Sequence, residues 1–216
     1  MKRAHFGALI GALFVVAVAP ATAKDDIPAD WRRVATADDR VRLRNTRQAW
    51  LEALAKARVA GQGKAIAAQG TLFDPDRALV GAKPPAGDYR CRVFKLGGQR
   101  PGNRDYIAYP AFRCRIDPEG GMLSFYKIGG SQRPAGLIFD DGRYRQIFLG
   151  TLSLGDEELP MDYGRDANRD MAGIVERIGP RRWRLVLPYP HFESLLDVVE
   201  LVPMADVQRA PARAVP

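Results

Sequence analysis

Residues 87–117 read GDYRCRVFKLGGQRPGNRDYIAYPAFRCRID. The tripeptide Arg-Cys-Arg occurs twice in this stretch, as Arg90-Cys91-Arg92 and Arg113-Cys114-Arg115, and Cys91 and Cys114 are the chain's two cysteines. Two β-like runs flank Arg100-Pro101-Gly102-Asn103, which has the composition of a turn, so the stretch reads as a β-hairpin. With Cys91 placed opposite Cys114, the hairpin centre falls between Gly102 and Asn103. Tyr89 then opposes Ile116 and Val93 opposes Phe112, giving an apolar stripe that faces a core and carries the cysteines. Arg90 falls opposite Arg115, and Arg92 opposite Arg113, on the other face. Like charges directly opposed on a sheet are destabilising. The four guanidinium groups therefore fan into water, pair with acids on a neighbouring element, or form an anion-binding face, since arginine forks match carboxylate, sulfate and phosphate.

The pattern continues beyond the hairpin. Strands are expected near residues 87–96, 106–117, 121–128, 135–140, 143–153, 171–178, 181–188 and 197–202. Turn residues such as Asp117-Pro118-Glu119-Gly120-Gly121, Asp140-Asp141-Gly142 and Gly179-Pro180 part them. Short, evenly spaced strands with hairpin connections predict a mainly β (α+β) fold. Its body is an antiparallel up-and-down barrel of about eight strands over residues 85–203, lipocalin-like in outline. Trp183, Leu185 and Leu187 fit an inward face, while Arg182 and Arg184 face out. Such a barrel is either filled by side chains or holds one small ligand.

Residues 24–84 form a helical segment packed on the barrel. Thr36 followed by Asp39 has the form of a capping box, and Asp38 and Asp39 suit a helix N-terminus. Leu43, Arg47, Trp50, Leu51, Leu54 and Arg58 share one face at helical spacing, and Gly61 supplies a stop. A second short helix is expected near Gly63–Gln69.

The ends and the charge bound the setting. Lys2, Arg3 and His5 precede an apolar run from Phe6 to Val18, and Ala21-Thr22-Ala23 follows as a cleavage site, so residues 1–23 read as a secretory signal peptide. The expected location is periplasmic or secreted, with no transmembrane span in the mature chain. Two cysteines in an exported chain point to one disulfide. Its loop of about 23 residues corresponds to roughly 3 kcal/mol in the chain-entropy view. The formal charge of +8 falls when Lys2 and Arg3 leave but stays basic. The partners this favours are anionic envelope components, lipid head groups or acidic glycan, or an envelope protein. No nucleic-acid-recognition signature is present. Residues 204–216 read as a flexible tail.

Several segments together carry a resemblance. They are Trp31-Arg32 with Ala37-Asp38-Asp39, the paired Arg-Cys-Arg tripeptides, Gly129-Gly130-Ser131-Gln132-Arg133-Pro134, Tyr163-Gly164-Arg165-Asp166 and Pro188-Tyr189-Pro190-His191-Phe192-Glu193. The chain resembles the exported bacterial family DUF4893 over nearly the whole mature length. The resemblance implies no activity and no catalytic residues.

Other candidate sites are sparse. His191 is the one histidine outside the signal segment, and Tyr189 and Glu193 flank it, so a general base of the usual kind would be this residue. No nucleophile elbow accompanies it. Asp166-Ala167-Asn168-Arg169-Asp170 begins like a calcium loop, but Met171 and Arg177 stand where glycine and the bidentate glutamate belong. No metal or cofactor is expected. The sequence thus favours a non-enzymatic envelope binding or interaction module with a basic face. The alternatives are a proteinaceous inhibitor of a hydrolase and a weak-motif hydrolase centred on His191.

Overall fold

The computed structural model describes residues 29–155 and 157–204. The expected signal segment, and all of the expected tail except Met204, lie outside the described residues. Helix α1 (Trp31–Val34) leads into α2 (Ala37–Arg44), whose N-terminus is capped by the Thr36 hydroxyl accepting from the Asp39 N–H at 3.2 Å. Asn45 separates α2 from α3 (Thr46–Val59), and α4 (Gly63–Ala67) and a 3-10 turn (Gly70–Phe73) follow.

Helix α3 buries a seam of small residues that the spacing argument passed over. Ala49, Ala53 and Ala57 are buried together with Trp50 and Leu54, whereas Leu51, expected on that face, is 51% exposed. The small side chains let the helix lie close against the sheet. A Cβ on Gly97 would stand 2.9 Å from the Ala53 Cα, and the φ of +67° at Gly97 is one that glycine accepts without strain.

Nine strands follow: β1 (Gly87–Gly98), β2 (Tyr106–Ala108), β3 (Phe112–Glu119), β4 (Met122–Ile128), β5 (Gln132–Asp140), β6 (Gln146–Leu154), β7 (Asp170–Gly179), β8 (Arg182–Pro188) and β9 (Ser194–Pro203). All neighbours are antiparallel, and β9 pairs back onto β1 from Tyr89↔Pro203 to Gly98↔Ser194. Eight strands therefore close a barrel, with β2 as an extra strand on β1. The expected single run over 106–117 is interrupted at Tyr109-Pro110-Ala111, because proline has no N–H to give to a ladder. The meander is as expected, and the chain turns from β3 to β4 through Gly120-Gly121, both at positive φ.

The register of the opening hairpin differs from the expected one by two residues. Tyr89 pairs with Cys114, Cys91 with Phe112, Arg90 with Arg113, and Asp88 with Arg115. An even shift keeps every side chain on its face, so Cys91 and Cys114 stay inside, fully buried, with their sulfurs at disulfide distance. The turn forms at Arg100–Asn103 as read, with Asn103 N–H donating to the Arg100 carbonyl at 3.1 Å. The strands flanking it are unequal, however, because β1 runs on to Gly98 and Pro110 breaks the returning strand. The shift also replaces one arginine–arginine opposition by Asp88 against Arg115.

Outside the barrel, α3 and the 3-10 turn cover Phe94, Leu96, Val186, Leu196 and Val198. Arg184 faces out as expected, yet it is 0% exposed because the helical segment lies over it. Its guanidinium donates to Glu176 at 2.8 Å and to the carbonyls of Leu72, Asp74 and Arg77 at 2.9, 2.7 and 3.1 Å, and it lies 4.9 Å from the Trp50 ring centroid. A buried charge satisfied this fully fastens the helical segment to the barrel wall.

Candidate functional site

The barrel interior is filled at one end and hollow at the other. At the filled end Tyr89, Ile116, Leu123, Phe125, Ile138, Phe148, Trp183 and Leu201 pack together around the cysteines. Phe125 and Phe148 meet edge to face, with ring centroids 5.8 Å apart. Segment 79–85 crosses outside this end. Leu79 N–H donates to the Arg177 carbonyl, Gly81 and Ala82 N–H groups donate to the Arg143 carbonyl, and the Tyr89 hydroxyl donates to the Pro85 carbonyl at 2.5 Å.

At the other end the interior opens as a cavity of about 400 Å³. Val93, Phe112, Pro134, Leu152, Met171, Leu187 and Val199 supply apolar walls. Its rim is built by Tyr109–Ala111, by the β4–β5 turn, by Asn168–Asp170, and by Pro190–Phe192 between β8 and β9. The last of these loops is held firmly. The Gln99 amide donates to the carbonyls of Pro190 and Ser194 at 2.5 and 2.6 Å, and the Asn103 amide donates to the Glu193 carbonyl at 2.9 Å. Tyr189 and Glu193 bracket the loop at φ +46° and +70°, conformations rare for residues with side chains.

Charged side chains enter this cavity from inward strand positions. On β1 the inward series Tyr89, Cys91, Val93 ends in Lys95, and on β9 the series Leu201, Val199 ends in Asp197. Lys95 donates to Asp197 at 3.2 Å, both are buried, and Glu193 approaches the same ammonium at 3.3 Å. The Ser194 hydroxyl donates to the other Asp197 oxygen. Burial pulls the Lys95 ammonium down, but the charges and hydrogen bonds of Asp197 and Glu193 lift it above its ordinary value. Burial pushes the Asp197 carboxyl up against the pull of Lys95 and Ser194. The two directions have different leading causes, burial for Asp197 and the facing carboxylates for Lys95. Two carboxylates face the one ammonium and keep Lys95 protonated, while Glu193 adds only a small further rise to Asp197.

On β4 the inward series Leu123, Phe125 ends in Lys127. Its ammonium lies 4.5 Å from the Phe112 ring centroid. Burial, and then the charge of Arg133, hold it below the ordinary lysine value. Helix α2 brings Arg42 to the mouth. Arg42 pairs with the fully buried Asp39, which also accepts from the Tyr163 hydroxyl, and it donates to the Asp170 carbonyl at 2.9 Å.

The residues singled out by sequence are distributed differently. Arg115 pairs with Asp88 and Asp117, and Arg113 with Asp88. Arg92 lies over the Phe94 ring and opposite Glu200 of β9, while Arg90 is exposed opposite Arg113. The four guanidinium groups lie outside the barrel, with Arg113 and Arg115 sharing Asp88, Arg92 over Phe94, and Arg90 without a carboxylate partner among the described residues. Tyr189, His191 and Glu193 also diverge. Tyr189 donates to Glu52 at 3.3 Å, Glu193 turns to Lys95, and His191 stands exposed on the rim, without a hydrogen-bond partner among the described residues. Partial burial and the Arg42 charge lower its imidazole from the ordinary value. The calcium-like loop spends its carboxylates on backbone: Asp166 accepts from the Asn168 N–H and Asp170 from the Gly164 N–H, at 3.0 and 2.9 Å.

A family model described as a domain of unknown function (DUF4893) matches residues 31–201. The chain belongs to the DUF4893 family. The match runs from Trp31 in α1 to Leu201 in β9, so the helical layer and the barrel form one DUF4893 unit. No curated protein and no solved structure matches this DUF4893 chain.

Sequence reading missed Lys95, Lys127 and Asp197. A signal was present in each case, a charge continuing an inward apolar series at period two.

Proposed function

We propose that this protein is an exported, non-enzymatic binding module of the cell envelope that holds a small, largely apolar molecule in the open end of its barrel. The observation that carries the reading is the cavity of about 400 Å³, within the range of roughly 300–1,000 Å³ that small-molecule sites occupy. Its walls are rigid strands, its floor is a packed aromatic core, and its polar groups are few and localised, the composition expected of a ligand site. Export is favoured by the signal-type segment and by the cysteine pair.

The test is calorimetric titration of the oxidised mature protein with decanol. Saturable binding at one site, abolished by Leu152→Trp, which would fill the cavity, is the expected result. Absence of saturable binding, or binding indifferent to Leu152→Trp, rejects the cavity as the site. A fusion of residues 1–23 to a reporter active only outside the cytoplasm tests export separately.

A further inference from the structure

The charges that line the cavity can be balanced one against another. Lys95 faces Asp197 and Glu193, Arg42 faces Asp39, and Arg169 faces Glu157 and Asp166. Lys127 remains. Among the described residues no carboxylate pairs with it, and its contact is the face of Phe112. The carboxylate oxygens of Asp197, by contrast, are both occupied, by Lys95 and by Ser194. On the β4 side the cavity thus presents an ammonium that no carboxylate faces among the described residues.

The arrangement also has a direction. In the closed ring β4 lies three strands from β9 and two from β1, so Lys127 stands well round the wall from the Lys95–Asp197–Glu193 cluster. That cluster, with two carboxylates on one ammonium, repels an anion. Lys127 attracts one, and partial removal from water strengthens the attraction. An aromatic face satisfies an ammonium only weakly compared with a charged acceptor.

We infer that the ligand is an amphiphile with one anionic head group and an apolar tail, and that Lys127 binds the head. This rests on the cavity reading above, which decanol tests without involving charge. The apolar walls take the tail, and the acidic cluster keeps the head away from the β1–β9 side. A carboxylate and a phosphate monoester share the required chemistry.

The experiment compares decanoate, decyl phosphate, decanol and decyltrimethylammonium on the oxidised mature protein by calorimetry, with Lys127→Met and Lys127→Arg alongside. At least one of the two anions should bind about ten-fold more tightly than decanol, the size of one charge-assisted hydrogen bond. The one with the larger advantage identifies the head group. The cation should bind more weakly than decanol. Lys127→Met should erase the anion's advantage and leave decanol unchanged, and Lys127→Arg should retain most of it. Decanol and both anions binding equally would overturn the head-group assignment and leave the cavity reading intact. So would a Lys127→Met variant that loses decanol and anion affinity together. If no decyl probe binds, both readings fall.

Discussion

On β1 the inward residue is Tyr89 at one end of the barrel and Lys95 at the other; on β4 Phe125 gives way to Lys127, on β6 Phe148 to Leu152, and on β9 Leu201 to Asp197. The alternation of inward and outward positions is shared by the two ends. The difference lies in side-chain volume and polarity. Where aromatic side chains converge, the barrel is a core, and a few smaller or charged residues along the same strands turn it into a container. The glycine pair Gly136↔Gly150 sits between the two regimes on β5 and β6. A Cβ at Gly150 would come within 2.3 Å of the Ala135 carbonyl and 2.7 Å of the Phe148 ring, so the wall there closes on the aromatic core.

The largest effect that can break this comparison is at the filled end. Phe148→Ala should cost about 3–5 kcal/mol in urea unfolding, because a buried ring leaves a void that rigid strands cannot close. A cost of under about 1 kcal/mol would mean that the filled end is not a close-packed core. Next is the ion pair of the open end. Lys95→Met should cost about 1–3 kcal/mol by leaving the buried Asp197 without its charge partner. Lys95→Met combined with Asp197→Leu should recover most of that loss, as apolar replacement of a buried pair commonly does. A double variant less stable than the single one would show that the pair supports the fold and not only the cavity.

Leu152→Trp comes third. It should change stability by less than about 1 kcal/mol, since the added volume enters space that is empty, in contrast to the overpacking penalty of a dense core. The smallest effect concerns His191. Its folded-state value is lowered, so between that value and the ordinary 6.5 the unfolded chain binds more protons, and stability falls on acidification through this window. His191→Gln should remove this component. The difference in melting temperature between wild type and variant should narrow or reverse as the pH drops below 7; a difference independent of pH would assign His191 no titrating role.

Much of the architecture was legible because β-structure announces itself by period and punctuation. Asp117-Pro118-Glu119-Gly120-Gly121 marked a turn, and Gly120 and Gly121 take dihedrals there that glycine accepts readily. The hairpin register was not legible. Matching Cys91 with Cys114 assumed that a disulfide joins directly opposed residues, whereas diagonal neighbours on one face also reach one another, and Asp88 then relieves Arg115. Arg184 was read as facing outward, which it does, but only the helical layer makes that position buried. The candidate site was half legible. Lys95, Lys127 and Asp197 occupy inward positions that alternation specifies, yet a charge at the end of a strand is ordinarily read as a strand end. The Ala49, Ala53 and Ala57 seam was hidden for a related reason: alanine contributes little to an apolar stripe, though it decides how closely a helix approaches.

The proline break in the returning strand has a mechanical consequence. Below it, β3 hydrogen-bonds to both β1 and β4; above it, β2 pairs with β1 alone, along Phe94↔Ala108 to Leu96↔Tyr106. The cavity wall therefore has a seam between β2 and the end of β4, with Tyr109-Pro110-Ala111 on one lip and Ile128-Gly129-Gly130 on the other. Across that seam no backbone ladder has to be unzipped. Under the binding reading proposed above, this seam is the side on which a guest would meet the fewest backbone hydrogen bonds, with Tyr109 and Ile128, both exposed, as apolar jambs on its two lips.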